Sequence, residues 1–196
     1  MHGWIKKCAA LLRAARCVWE RVGLDYAALT RFFQQGKVTP NAPRPPPRAY
    51  VVDQAMALVV AALENALKAC IVAKHGYKDT GGRLPKELRH HRIAELAACG
   101  DVAPADDDER DALTFGEEIF SWVGRYPAPL SAKEYPTDRS INPSRAWHAY
   151  LRLITRAVET AARMEYARGM RGPNGEESEF AFVARQRDYF EDEAAL

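Results

Sequence analysis

At 196 residues, 47% of them apolar and with few glycine, serine or threonine runs, the chain is long enough to bury one core and too apolar to be a disordered polymer. Its 28 Lys and Arg against 26 Asp and Glu exclude a protein that is strongly basic or acidic overall. The charges are nonetheless segregated. Residues 1–48 carry nine basic side chains against Glu20 and Asp25, and residues 101–118 carry eight acids against Arg110, as expected for a nucleic-acid surface or for segments that neutralise each other.

From Trp4 to Gln35 the spacing predicts helix, with Ile5, Cys8, Leu12, Ala15, Val18, Trp19 and Val22 as an apolar stripe opposite Lys6, Arg13 and Arg21. Lys6, Lys7, Arg13 and Arg16 leave no apolar run for a signal peptide. Gly23 and Asp25 predict a break, with Asp25 capping a second short helix through Leu29 and Phe33. Residues 1–38 thus read as an N-terminal helical arm docked through Trp19, Phe32 and Phe33. The functional alternative is a membrane-surface or nucleic-acid helix. Residues 39–48 (TPNAPRPPPR spans Thr39 to Arg48) cannot continue a helix and form a stiff linker.

Tyr50 to Ala73 is apolar on all sides of a helical wheel, the pattern of a helix enclosed by others. Val52, Ala55, Val59, Ala62, Leu63, Ala66 and Cys70 make one stripe. Leu58, Ala61, Ile71 and Val72 make a second, interrupted by Glu64, Asn65 and Lys68, which share one patch of helix surface. Those three are either a surface pair with a neighbour or a buried polar cluster that must be answered from within. No stretch reaches about 18 uncharged apolar residues, so no membrane span is expected.

Gly76 ends this helix, and a loop with Gly81 and Gly82 follows. Lys86 to Cys99 predicts one short helix with Leu88, Ile93, Leu96 and Ala97 inward. His90 and His91 are about 100° apart on it, the wrong geometry for one metal, so no metal or cofactor is expected and pairing of one imidazole with a carboxylate is. Ala105 to Asp108 offers N-caps for a helix to Val123 with Leu113, Ile119, Phe120 and Trp122 inward. Asn142 followed by Pro143 opens the last helix, to about Gly169, with Trp147, Leu151, Ile154, Val158 and Ala161 inward and Arg145, Arg152, Arg156 and Arg163 on its outer faces. Residues 171–196 are an acidic tail. No segment alternates as a strand does, so the fold class is all-α: an antiparallel four- to five-helix bundle over residues 49–170 with the arm and tail appended. The cysteines Cys8, Cys17, Cys70 and Cys99 form no CxxC pair and behave as small hydrophobes, pointing to a reducing, cytoplasmic setting.

The helix MALVVAALENALKACIVA, the loop with Leu84 and Pro85, His91 ahead of Ile93 and Leu96, and an acidic helix ending in WVGRYPAP (Trp122 to Pro129) together resemble a branch of the HEPN superfamily, the helical domains named for higher eukaryotes and prokaryotes nucleotide-binding. The likeness covers about residues 49–129, with the Pro143 helix as the closing helix. It implies a helical domain that commonly forms a homodimer. Many members are metal-independent ribonucleases in which a His assists attack by a ribose 2′-hydroxyl and an Arg a few residues away steadies the phosphorane charge. This sequence departs from that motif. Arg145 and His148 stand too close together, Arg139 and His148 too far apart, and Arg83 and His90 have a suitable spacing but precede the short helix.

The remaining polar constellation is Glu64, Asn65, Lys68, His91, Arg125 and Tyr126. It reads as an architectural cluster in which Glu64 pairs with Arg125 or Lys68, or as the border of a pocket for a nucleotide phosphate or RNA. The expectation is a HEPN-like module without catalysis, serving oligomerisation or protein-partner binding with RNA or a nucleotide as candidate ligand and no membrane contact. The alternatives are a metal-independent endoribonuclease, a toxin or defence effector using His148, Arg145, His90 or Arg83, and a plain scaffold.

Overall fold

A computed structural model describes residues 1–34, 49–76, 84–122 and 142–169, and every regular element among them is helical. Helix α1 spans His2–Gln34, α2 Ala49–His75, α3 Ile93–Cys99, α4 Asp107–Trp122 and α5 Pro143–Gly169, with a 3-10 turn at Lys86–Leu88. The proline-rich linker, Phe120 and Trp122 as side chains, Arg83, Arg125, Tyr126 and the acidic tail lie outside the described residues.

The core is built around α2. All seven residues of its first stripe are buried, as are Met56, Val60, Leu67, Ala69 and Ile71, while Leu58, Ala61 and Val72 are half-buried. By length and composition Val52–His75 could cross a membrane, but 78% of its most apolar window is covered by the protein, as befits a core helix. Helix α1 covers one side through Ile5, Cys8, Leu12, Ala15 and Val22, and α5 another through Trp147, Tyr150, Leu153, Ile154 and Ala157. Trp19 of α1 stacks on Trp147 near the start of α5, with ring centroids 4.7 Å apart and planes 3° off parallel, a large apolar contact tying the two covering helices together. The α-amino group of Met1 lies near Glu165 at the other end of α5, so α1 and α5 run in opposite directions.

The ends follow the expected chemistry. Gly76, at φ 60°, closes α2 with its N–H donating to the Val72 carbonyl at 2.9 Å. Asn142 caps α5, its side-chain oxygen accepting from the Ser144 N–H at 2.9 Å. Asp106 caps α4 by accepting from the Glu109 N–H at 2.8 Å.

Two expectations are corrected. Helix α1 does not break at Gly23. That glycine is exposed where a Cβ would meet nothing, so it costs only its propensity, about 1 kcal/mol, and continuing the helix keeps Val22 in the core. The segment from Lys86 to Cys99 is not one helix: the 3-10 turn and α3 are separated by Arg89–Arg92, with Arg92 extended at ψ 99°. The Arg92 N–H donates to His90 Nδ1 at 3.3 Å, and the first turn of α3 is held from outside, the Ala94 N–H donating to Glu117 of α4 at 3.1 Å. Leu88, Ile93, Leu96 and Ala97 are nonetheless buried, as expected.

Gly23 within α1 and Gly100 at the end of α3 respond oppositely to a methyl group. Gly23→Ala is expected to raise the urea midpoint by an amount equivalent to about 0.5–1 kcal/mol, since it gains helix propensity in open space. A Cβ at Gly100 would sit 3.1 Å from Cys70 Cβ and 3.3 Å from the Leu96 carbonyl oxygen, so Gly100→Ala should lower stability by about 1–3 kcal/mol in the same titration.

Candidate functional site

Glu64, Asn65 and Lys68 are all buried, at 6%, 4% and 4% exposure, although a Glu–Lys pair four residues apart is ordinarily a surface feature. Two other parts of the chain close over them. The Lys68 ammonium bonds Glu64 Oε1 and stands 5.4 Å from the centre of the Trp4 ring of α1, where the negative ring face attracts it. His91, in the segment between the 3-10 turn and α3, brings Nδ1 to 3.1 Å from the same Glu64 oxygen. A carboxylate only accepts, so the imidazole proton faces it from Nδ1. The other side of the His91 ring reaches solvent, at 54% exposure.

Asn65 Nδ2 donates to the Ala61 carbonyl at 2.6 Å, which fixes the amide's orientation, and Asn65 Oδ1 is buried with no hydrogen-bond partner. An orphan acceptor of this kind costs about 1–3 kcal/mol. The break in the Arg89–Arg92 segment is what separates the two histidines. His91 turns inward to Glu64, whereas His90 Nε2 lies 4.0 Å from Glu95 Oε2. Among the described residues no group of three or more His, Cys, Asp and Glu side chains is placed to hold a metal ion.

A second ionic centre was not singled out from the sequence. Glu109 is fully buried at the start of α4, and Arg156 of α5 grips both its carboxylate oxygens, at 2.5 and 2.6 Å. Arg152 donates to it at 3.2 Å and to Asp106 at 2.9 Å, the Ala105 N–H at 2.8 Å, and Arg156 also donates to the Ala103 carbonyl at 2.6 Å. Arg145 forms a further pair with Asp108. Arg145, Arg152 and Arg156 therefore do not simply face outward, as their polar character suggested: they clamp α5 to the acidic start of α4. Burial alone would raise the Glu109 carboxyl, but the Arg156 hydrogen bonds, the Ala105 N–H and Arg152 outweigh it and hold the group below its ordinary value.

The remaining candidates are dispersed. His148 is exposed on α5, and Arg145, one turn earlier, is engaged by Asp108. His90 lies in the segment before α3, with Glu95 as neighbour. A cleft of about 540 Å³ between α3 and α4 is lined by Ala94, Ala97, Ala98, Val102 and Leu113, but its polar side chains are already occupied: Asp101 by Lys74, Arg110 by Asp107 and Thr114 by the Arg110 carbonyl. Two buried nucleophiles are equally quiet. The Cys70 thiol donates to the Ala157 carbonyl at 2.7 Å, and burial pushes it up to about 12; the Tyr150 hydroxyl donates to the Ala112 carbonyl at 2.8 Å and is likewise raised by burial. No protein-family model matches the chain, and neither a curated protein nor a solved structure is significantly similar to it.

Two experiments probe these centres. Lys68→Met leaves the buried Glu64 with His91 alone and should cost about 3–5 kcal/mol by urea unfolding, while Glu64→Gln combined with Lys68→Met should recover a large part of that loss in a double-mutant cycle. For Glu109, the folded-state value lies below the unfolded one, so its contribution is present above the ordinary carboxylate value of 4.5 and is lost as pH falls through the folded value. The stability gap between the native chain and Glu109→Gln should be steady from pH 6 to 8, at about 2–3 kcal/mol, and should narrow below pH 4.5.

Proposed function

We propose that the chain is a HEPN-like helical module that works by binding a partner rather than by turning over a substrate. The observation that carries this reading is the internal closure of the central polar cluster: Glu64 is answered by Lys68 and His91, and Lys68 by Trp4, so these groups brace the bundle. Catalysis needs a base and a charge stabiliser converging on one reacting atom. The described candidates do not offer that, since Arg145 is drawn to Asp108 and His90 lies near Glu95 in a different segment. The buried Cys70 thiol and the occupied polar lining of the α3–α4 cleft support the same conclusion. On this reading the protein acts in the cytoplasm, as its four free cysteines suit, and the HEPN resemblance adds homodimerisation, checked by its mass in solution.

The test is incubation of the purified protein with labelled RNA in EDTA. The RNA should remain intact, with the native chain, His148→Ala and His90→Ala indistinguishable. Cleavage that disappears in either variant would make the protein a metal-independent ribonuclease instead.

A further inference from the structure

Two rows of side chains along the junction of α1 and α2 are only half covered. On α1, Trp4, Lys7, Leu11 and Val18 recur at helical spacing and share one edge of the helix; Lys7 is exposed and the other three are half-buried. On α2, Leu58, Ala61, Asn65, Lys68 and Val72 form a second row, in which Asn65 and Lys68 are buried and the three apolar members half-buried. Both rows border one seam. Trp4 meets Lys68 across it, the ammonium lying 5.4 Å from the ring centre. Helix α5 runs in the same direction as α2, since a Cβ at Gly116 would touch both Val60 and Tyr150 while Cys70 bonds the Ala157 carbonyl, so α1 opposes both. With the same rise per residue on each helix, the Trp4–Lys68 contact brings Leu11 level with Ala61 and Val18 level with Gln54.

The seam opens where α5 finishes. The Met1 α-amino group lies near Glu165, one helical turn before Gly169, and the Trp4 N–H bonds the Met1 carbonyl at 2.9 Å. Residues 171–196 follow, with seven acids against Arg171, Arg185 and Arg187, and with Phe180, Phe182, Tyr189 and Phe190 among them. Beside the seam's entrance, Lys6 and Lys7 are exposed and have no ion-pair partner among the described residues. Arg13, Arg16 and Arg21 of the same helix already interact within the chain, so the available charge is that of the two lysines.

We propose that the α1–α2 seam is the docking groove for the chain's own acidic, aromatic segment, residues 171–196. Its exit point, its length and its composition single it out as the occupant. From Trp4 to Val18 the groove is about 21 Å long, and 26 residues span it either extended, at about 3.3 Å each, or helical, at about 1.5 Å each. A segment tethered at the mouth of a groove is present at an effective concentration on the order of millimolar. Modest contacts therefore suffice. Aromatic rings match the half-covered Trp4, Leu11, Leu58 and Ala61, and carboxylates match Lys6 and Lys7, where single surface pairs contribute about 0–1 kcal/mol each. A second copy of the chain would have to reach the same groove without the tether. The docking does not depend on the HEPN likeness, so it stands or fails apart from the ribonuclease assay.

The experiment is zero-length carbodiimide crosslinking of the full chain, with isotopically light and heavy protein mixed in equal amounts and the linked peptides identified by mass spectrometry. The expected product joins Lys6 or Lys7 to an acid between Glu176 and Glu193 within one isotopic form, at monomer mass and with a yield unchanged by dilution. Tryptic cleavage at Arg185 and Arg187 under native conditions gives a second readout. Phe180→Ser combined with Phe182→Ser, Lys7→Glu and Leu11→Ser should each speed it, the double variant by about tenfold, because proteolysis follows the population of the open form. Lys86→Glu, exposed elsewhere, should leave the rate unchanged within about twofold. The double variant alters no core side chain, so it tests the docking even where Leu11→Ser weakens the bundle. Three results overturn the proposal: links that join light to heavy chains, which assign the groove to a second copy; no link from Lys6 or Lys7 to the acidic segment; or a cleavage rate that none of the groove and tail variants changes.

Discussion

Enclosure of α2 is the constraint on which the other features depend. A helix that is apolar over most of its circumference has no face to give to water, so α1, α5 and the α3–α4 pair must each cover part of it. Enclosure also dictates the chemistry of its few polar residues. Once Glu64 and Lys68 are removed from solvent, their mutual attraction has to offset desolvation, and it does so with help from an indole face and an imidazole. The sharing of one carboxylate oxygen by Lys68 and His91 links α2 to the segment before α3, so this pair also places an element that has little regular structure of its own.

The second ionic centre obeys the same logic with a different geometry. Glu109 sits in the first turn of α4, where the helix dipole already favours an anion, and two arginines from α5 complete its shell. Their partly exposed guanidiniums keep contact with water while the carboxylate does not. The arrangement locks the direction of α5 against α4 more specifically than apolar contact could, because a bidentate grip tolerates little sliding.

Much of this was legible from residue spacing. The extents of α2 and α5, the caps at Gly76 and Asn142, the inward stripe of α1 and the burial of Leu88, Ile93, Leu96 and Ala97 all follow from periodicity and end chemistry, which act locally. What was not legible depends on tertiary contact. The continuity of α1 through Gly23 reflects packing of Val22 that outweighs a local propensity, and the interruption at Arg89–Arg92 reflects the attraction of His91 toward a carboxylate 27 residues earlier. The acidic run and the arginines of α5 were each visible, but their pairing spans about 40 residues, and charge alone does not say which of several basic segments will meet an acidic one. Trp4 as the partner of Lys68 had no signal beyond its place on a helix.

The stacked indoles of Trp19 and Trp147 join α1 to α5, and that has a bearing on biogenesis. At a ribosomal pace of about 5–20 residues per second, the 94 residues from His75 to Gly169 take roughly 5–20 s to emerge. During that interval the most apolar helix of the chain is complete but lacks one of its walls. The nascent bundle therefore spends seconds with a sticky flank, a natural point for chaperone engagement, and it closes only when α5 arrives to meet the indole already waiting on α1.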